Sequence, residues 1–250
     1  MHRYGILLPS MDNNLLTIGK TAKLLGVSID TLRRWDKSGK FSSVRISSGG
    51  NRYYRKSDVD LFIKDPLAMA LNWATSVSPY EPDQRYYCKT RDVFQARLEH
   101  MLAELSGEGN MVLPSLVSAV AGEIGNNSFD HNLGNWPDIL GIYFSYSLTE
   151  KKIILADRGL GILFTLKKVK PDLKNHKDAL KVAFTETVSG RAPESRGNGL
   201  KFVRNIVTQN PIKLTFQTGN ARLELQQDKK DLEIEISERY IRGCLAIVEY

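Results

Sequence analysis

Apolar residues recur at helical spacing through the middle of the chain, and where they give way to polar ones marks the first candidate site. With about 100° per residue, Leu113, Leu116, Val117, Val120 and Ile124 share one face of a helix that starts near Pro114. That stripe ends in chemistry rather than in more leucines. Glu123, Asn127, Asp130 and His131 fall on or beside the same face. A core-facing stripe with two carboxylates, an amide and an imidazole either buries polar groups at a cost or lines a polar cavity, and the spacing here predicts a cavity.

The pattern along the rest of the chain predicts an N-terminal arm over 1–14 and a small module over 15–65. Thr17 caps a short helix from Ile18 to Leu25, Gly26-Val27 breaks it, and Ser28 caps a second helix that Gly39 ends. Ala22, Leu25, Val27, Ile29, Leu32 and Trp35 supply a small core. Val44-Arg45-Ile46 and Arg52-Tyr53-Tyr54 alternate around a glycine-rich tip and read as a hairpin, with a helix from Ser57 after it. Prolines 66, 79 and 82 surround a short helix, Leu67 to Ala74, in a linker over 66–90. A second, larger domain over 91–250 opens with an amphipathic helix to Leu105, which carries His100 as a plain surface residue. Past the central helix, Ile139 to Ser147 and Lys152 to Ala156 read as an antiparallel pair, followed by helices at His176 to Glu186 and Leu200 to Thr208. Four short strands are expected near 212–217, 221–226, 232–237 and 244–249.

Charge sharpens this division. Residues 1–65 carry twelve Lys and Arg against six Asp, so nearly all of the chain's +7 sits in its first quarter, which points to a polyanionic partner for that end alone. The 42% apolar content can supply a real core, and no apolar run approaches the ~18 residues of a membrane span. Cys88 and Cys244 lie too far apart in sequence to read as a metal motif or a disulfide framework, so a cytoplasmic protein with no membrane partner is expected. Gly19-Lys20-Thr21 lacks the upstream glycine of a phosphate loop, because Asn14 stands there.

Two stretches then resemble known families. The run from Leu16 to Ile63, with TIGKTAKLLGVSIDTLRRW and GGNRYYRKSDV, resembles the winged helix-turn-helix of the MerR and excisionase group. The resemblance implies double-stranded DNA as partner, with Thr31, Arg33, Arg34 and Lys37 on the recognition helix and Arg45, Arg52, Tyr53 and Arg55 on the wing as contacts. Paired half-sites would then be read by a homodimer. In the larger domain, Glu123-x-x-x-Asn127 in a helix, Asp157-x-Gly159-x-Gly161 at a strand end and Gly197-x-Gly199-Leu200 opening a helix are similar to the gyrase, heat-shock chaperone, histidine kinase and MutL ATPases. With His131 following, the chain is most similar in type to soluble anti-sigma-factor kinases.

That second resemblance implies ATP and Mg²⁺. Asn127 would hold the metal, Glu123 would be the general base, and Asp157 would accept from the adenine amino group with room made by Gly159 and Gly161. Arg196, Gly197, Gly199 and Leu200 would close on the phosphates, with Asp130 and His131 beside them. The expected fold class is α+β, a small winged helix-turn-helix followed by a two-layer α/β sandwich of the Bergerat type. A nucleotide-responsive DNA-binding regulator is the leading functional expectation. The alternatives are a protein serine/threonine kinase of anti-sigma type targeted by its winged helix, and a protein-binding adaptor with a vestigial pocket.

Overall fold

A computed structural model describes residues 14–25, 27–37, 39, 41–45, 50–63, 65–107, 112–187, 199–229 and 231–250. The chain divides into two units, Met1–Asp65 and Pro66–Tyr250.

In the first unit β1 (Leu15–Thr17) leads into α1 (Ile18–Leu25) and α2 (Ile29–Lys37). The start of each helix is capped by a hydroxyl: Thr17 Oγ1 accepts from the Lys20 amide, and Ser28 Oγ from the Thr31 amide at 3.0 Å. Gly39, at φ 74°, follows the end of α2. The hairpin strands β2 (Val44–Arg45) and β3 (Arg52–Arg55) come next, then α3 (Lys56–Ile63). β1 joins them in a three-stranded antiparallel sheet of order β1-β3-β2, an addition to the expected hairpin that the short Leu-Leu-Thr run did not signal. Leu32, Trp35, Phe41, Tyr54 and Val59 form the core, and Tyr54 also donates its hydroxyl to the Leu32 carbonyl.

The second unit contains α4 (Pro66–Thr75), β4 (Tyr87–Cys88), α5 (Arg91–Ser106), α6 (Val112–Asn132), β5 (Ile142–Ser147) and β6 (Lys152–Asp157). It continues with α7 (Gly161–Lys167), α8 (His176–Thr185), α9 (Gly199–Gln209), β7 (Lys213–Leu225) and β8 (Ile234–Glu249). Its antiparallel sheet has the order β4-β5-β6-β8-β7. Alternate residues of the central strands serve different cores. Ile142, Phe144, Ile153, Leu155, Ala246 and Val248 face the residues of α5, α6, α8 and α9. Tyr143, Ile154, Ala156 and Leu245 face Ala70, Trp73 and Ala74 of α4.

Two expectations change here. Residues 66–90, read as a linker, belong to the second unit. α4 lies on the sheet face opposite the main helical layer, so a two-layer sandwich gains a partial third layer. The cause is Trp73, fully buried with its indole N–H donating to the Tyr80 carbonyl at 2.8 Å, and a helix with no polar face to leave in water. The four expected C-terminal strands are two long ones. Gly219, at φ 55°, and the bulges on either side of it bend β7 without ending it.

Candidate functional site

The deep end of a cavity in the second unit is built on Asp157, the last residue of β6 and 2% exposed. Its Oδ2 accepts from Ser128 Oγ at 2.8 Å and its Oδ1 from the Gly159 amide at 2.8 Å; the Cys244 amide donates as well. Burial nonetheless pushes the carboxyl above the ordinary carboxylate range, against the pull of these three donors. Gly243 makes the approach of β8 sterically feasible, because a Cβ there would fall 2.0 Å from Asp157 Oδ1.

The turn after Asp157 is clasped to the end of α6. Asn132 donates to the Ser128 carbonyl at 2.7 Å and accepts from the Leu160 amide at 2.8 Å, and a Cβ on Gly159 would collide with that amide. Thr218 Oγ1 donates to the Gly243 carbonyl and accepts from the Ile162 amide. Toward the other end, Asn127 Nδ2 donates to Glu123 Oε1 at 3.1 Å, and the first residue of α9, Gly199, abuts both. Asn127, His131, Asp157, Gly161, Gly199 and Leu200 all line the cavity, which is partly open to solvent.

The three stretches singled out by sequence therefore converge. Glu123 stands beside the cavity through its contact with Gly199, and Gly159 shapes the turn under it. Asp130 is a correction. It pairs with Arg91 across the α5–α6 contact, next to the Asn126–Gln95 hydrogen bond, and so faces α5 rather than the space beside Asn127. Arg196 and Gly197 lie outside the described residues. Ser128, Asn132, Thr218, Gly243 and Cys244 were not anticipated. Helical spacing from Ile124 would have reached Ser128 and Asn132, whereas Gly243 and Cys244 arrive through strand pairing and have no local signal.

In the first unit, Arg33, Arg34 and Lys37 are exposed on α2, with Arg33 paired to Asp30 at 2.8 Å. Arg45 and Arg55 are exposed on the hairpin, and Tyr53 and Arg52 are half-buried. Thr31 is the second correction: it is 2% exposed and hydrogen-bonds Ser28, so it is part of the cap and not of the presented surface. Asp36 accepts from Arg52 Nε at 2.7 Å and from the Ser43 amide at 2.8 Å. Burial alone would raise its carboxyl, but these donors hold it down at about 2.

Residues 17–54 match the family described as MerR family regulatory protein. The N-terminal unit carries a MerR-type helix-turn-helix. A curated relative, the Type II methyltransferase M.Eco47II of Escherichia coli, is 35% identical over 57 residues. That stretch is 23% of this chain and 14% of the methyltransferase, so the chain spans only a small part of that relative's length. The MerR-type domain supports DNA as the partner of the basic N-terminal unit. Its match ends at residue 54, well short of the cavity. Among the described residues no helix is long and apolar enough to cross a membrane.

Proposed function

We propose that this protein is a DNA-binding regulator whose second unit takes up ATP with Mg²⁺ and thereby changes the affinity of the MerR-type domain for DNA. What carries the reading is one observation. Asn127, Asp157, Gly161 and Gly199, drawn from three distant stretches, border a single cavity.

The chemistry of each end supports a nucleotide. A carboxyl oxygen is an acceptor, so Asp157 would favour a ligand that presents an N–H, such as the exocyclic amine of adenine. The start of α9 at Gly199 offers backbone N–H groups to anionic oxygens. Between them, Glu123, beside Gly199, would act as general base on a water at the phosphate end. A hard cation takes oxygen ligands, and the donors at hand are the Asn127 amide and the Glu123 carboxylate. Among the described residues no cluster of three or more His, Cys, Asp or Glu is able to hold a metal alone. Magnesium would be held by the Asn127 and Glu123 oxygens. When bound it would supply charge neutralisation at the phosphates.

Thermal denaturation with and without MgATP tests the proposal. Occupancy at a hundred times the dissociation constant stabilises a protein by about 2.7 kcal/mol, and the gain is expected with ATP and not with inosine triphosphate, which lacks the amine. An identical melting curve in all three conditions would remove the nucleotide from the reading and leave the DNA-binding domain standing.

A further inference from the structure

Asp36 sits near the end of α2, the helix that presents Arg33, Arg34 and Lys37. Its two oxygens reach into both strands of the hairpin. Oδ1 accepts from the Ser43 amide just before β2, and Oδ2 accepts from Arg52 Nε on β3 at 2.7 Å, with Arg45 Nη2 of β2 at 3.8 Å. Arg45 and Arg52 are directly opposite each other in the β2–β3 register. Two like charges facing across an antiparallel pair repel and weaken it. Asp36, with its side chain only 15% exposed, is the anion that lets them share that position.

We infer that Asp36 is a positioning residue for DNA binding, a half-buried anion that fixes the base of the wing to the recognition helix and holds Arg45 and Arg52 side by side. The inference rests on the DNA-binding reading and deepens it. Arg52, at 29% exposure, becomes a strut, and Arg45, at 42%, becomes the outward cation of the pair. The consequence runs against simple electrostatics. Removing an acidic group from a surface that meets phosphate ordinarily tightens binding. Here the same removal releases the wing, sets two arginines against each other and weakens binding.

The test compares two substitutions with equal change in charge on one helix, in the full chain, against a fluorescently labelled mixed-sequence DNA duplex titrated over a range of salt. Asp36→Asn is expected to lower affinity about tenfold and to reduce the slope of log affinity against log salt by about one phosphate contact. Asp30→Asn, which releases the exposed Arg33, is expected to raise affinity. Asp36→Asn binding as tightly as the parent, or more tightly, overturns the inference.

If Asp36→Asn does not fold, the charge swap Asp36→Arg with Arg52→Asp decides. It keeps net charge and places an anion opposite Arg45, so it should bind within about threefold of the parent. A folded swap that has lost tenfold or more overturns the inference, because Arg52 is then needed at the DNA itself. A parent chain that shows no salt-dependent DNA binding defeats the DNA-binding reading and this inference with it.

Discussion

A methyl group at position 243 would lie 2.0 Å from Asp157 Oδ1 and 2.6 Å from the Gly159 backbone nitrogen, and neither has anywhere to move. Gly243→Ala should therefore cost about 1–3 kcal/mol in denaturant unfolding and loosen the deep end of the cavity. Gly199→Ala meets the tip of Glu123 instead, the far end of a flexible side chain held only by Asn127, so it should be milder on stability and, on the proposed reading, weaken the thermal shift with MgATP. The two aspartates respond to pH in opposite senses. Asp36 is held below its unfolded value of 3.8, so its contribution is present above that value and is lost as pH falls toward about 2. Asp157 is raised, so its neutral form favours the fold and stability declines as pH climbs through the raised value. Asp157→Asn should accordingly keep or raise the melting temperature at neutral pH and abolish the shift with MgATP; an unchanged shift would separate Asp157 from the ligand. At this scale much of the cavity was legible, because Glu123 and Asn127 interrupt an apolar stripe. Thr31 was misread because a cap hydroxyl and a surface hydroxyl are the same letter.

The element that most changes the picture is α4. Arg158, fully buried beside Asp157, donates to both Asp138 oxygens and to the Trp73 and Ser76 carbonyls at the end of that helix, while Tyr143 donates to the Pro66 carbonyl at its start. Asp138 also pairs with Arg242. Asp138→Ala leaves a buried guanidinium without its counter-charge and should destabilise the second unit by about 3–5 kcal/mol, read from its urea midpoint. A fragment covering 66–250 should unfold cooperatively, whereas one covering 91–250 should lose that transition, since Trp73 and its sheet contacts go with the deleted helix. The run PLAMALNWAT announced a helix by composition. That it belongs to the sheet was not readable, because its partners Tyr143, Ile154 and Leu245 are contributed from far along the chain. The β7–β8 pair was misjudged for a related reason: Thr-Gly-Asn reads as a turn unless the partner strand is known to run past it.

For the whole molecule, the uneven charge was visible in sequence, and the chain divides into units between residues 65 and 66. If the second unit governs the first, linkage makes the effect reciprocal. MgATP should change DNA affinity by the same factor by which DNA changes ATP affinity, measured by titrating each in the presence of the other. Equal ATP affinity with and without DNA would reduce the protein to two independent binding units.

Strand β6 is the middle strand of its sheet, bonded to β5 and β8 and covered by side chains on both faces, with Ile153 through Asp157 all buried. Its amide protons should be among the last to exchange with deuterated solvent, surviving all but global unfolding. The carboxylate at its tip is thus carried by the stretch of chain least given to local opening, so a small molecule seated there would meet a floor that is already rigid before it arrives.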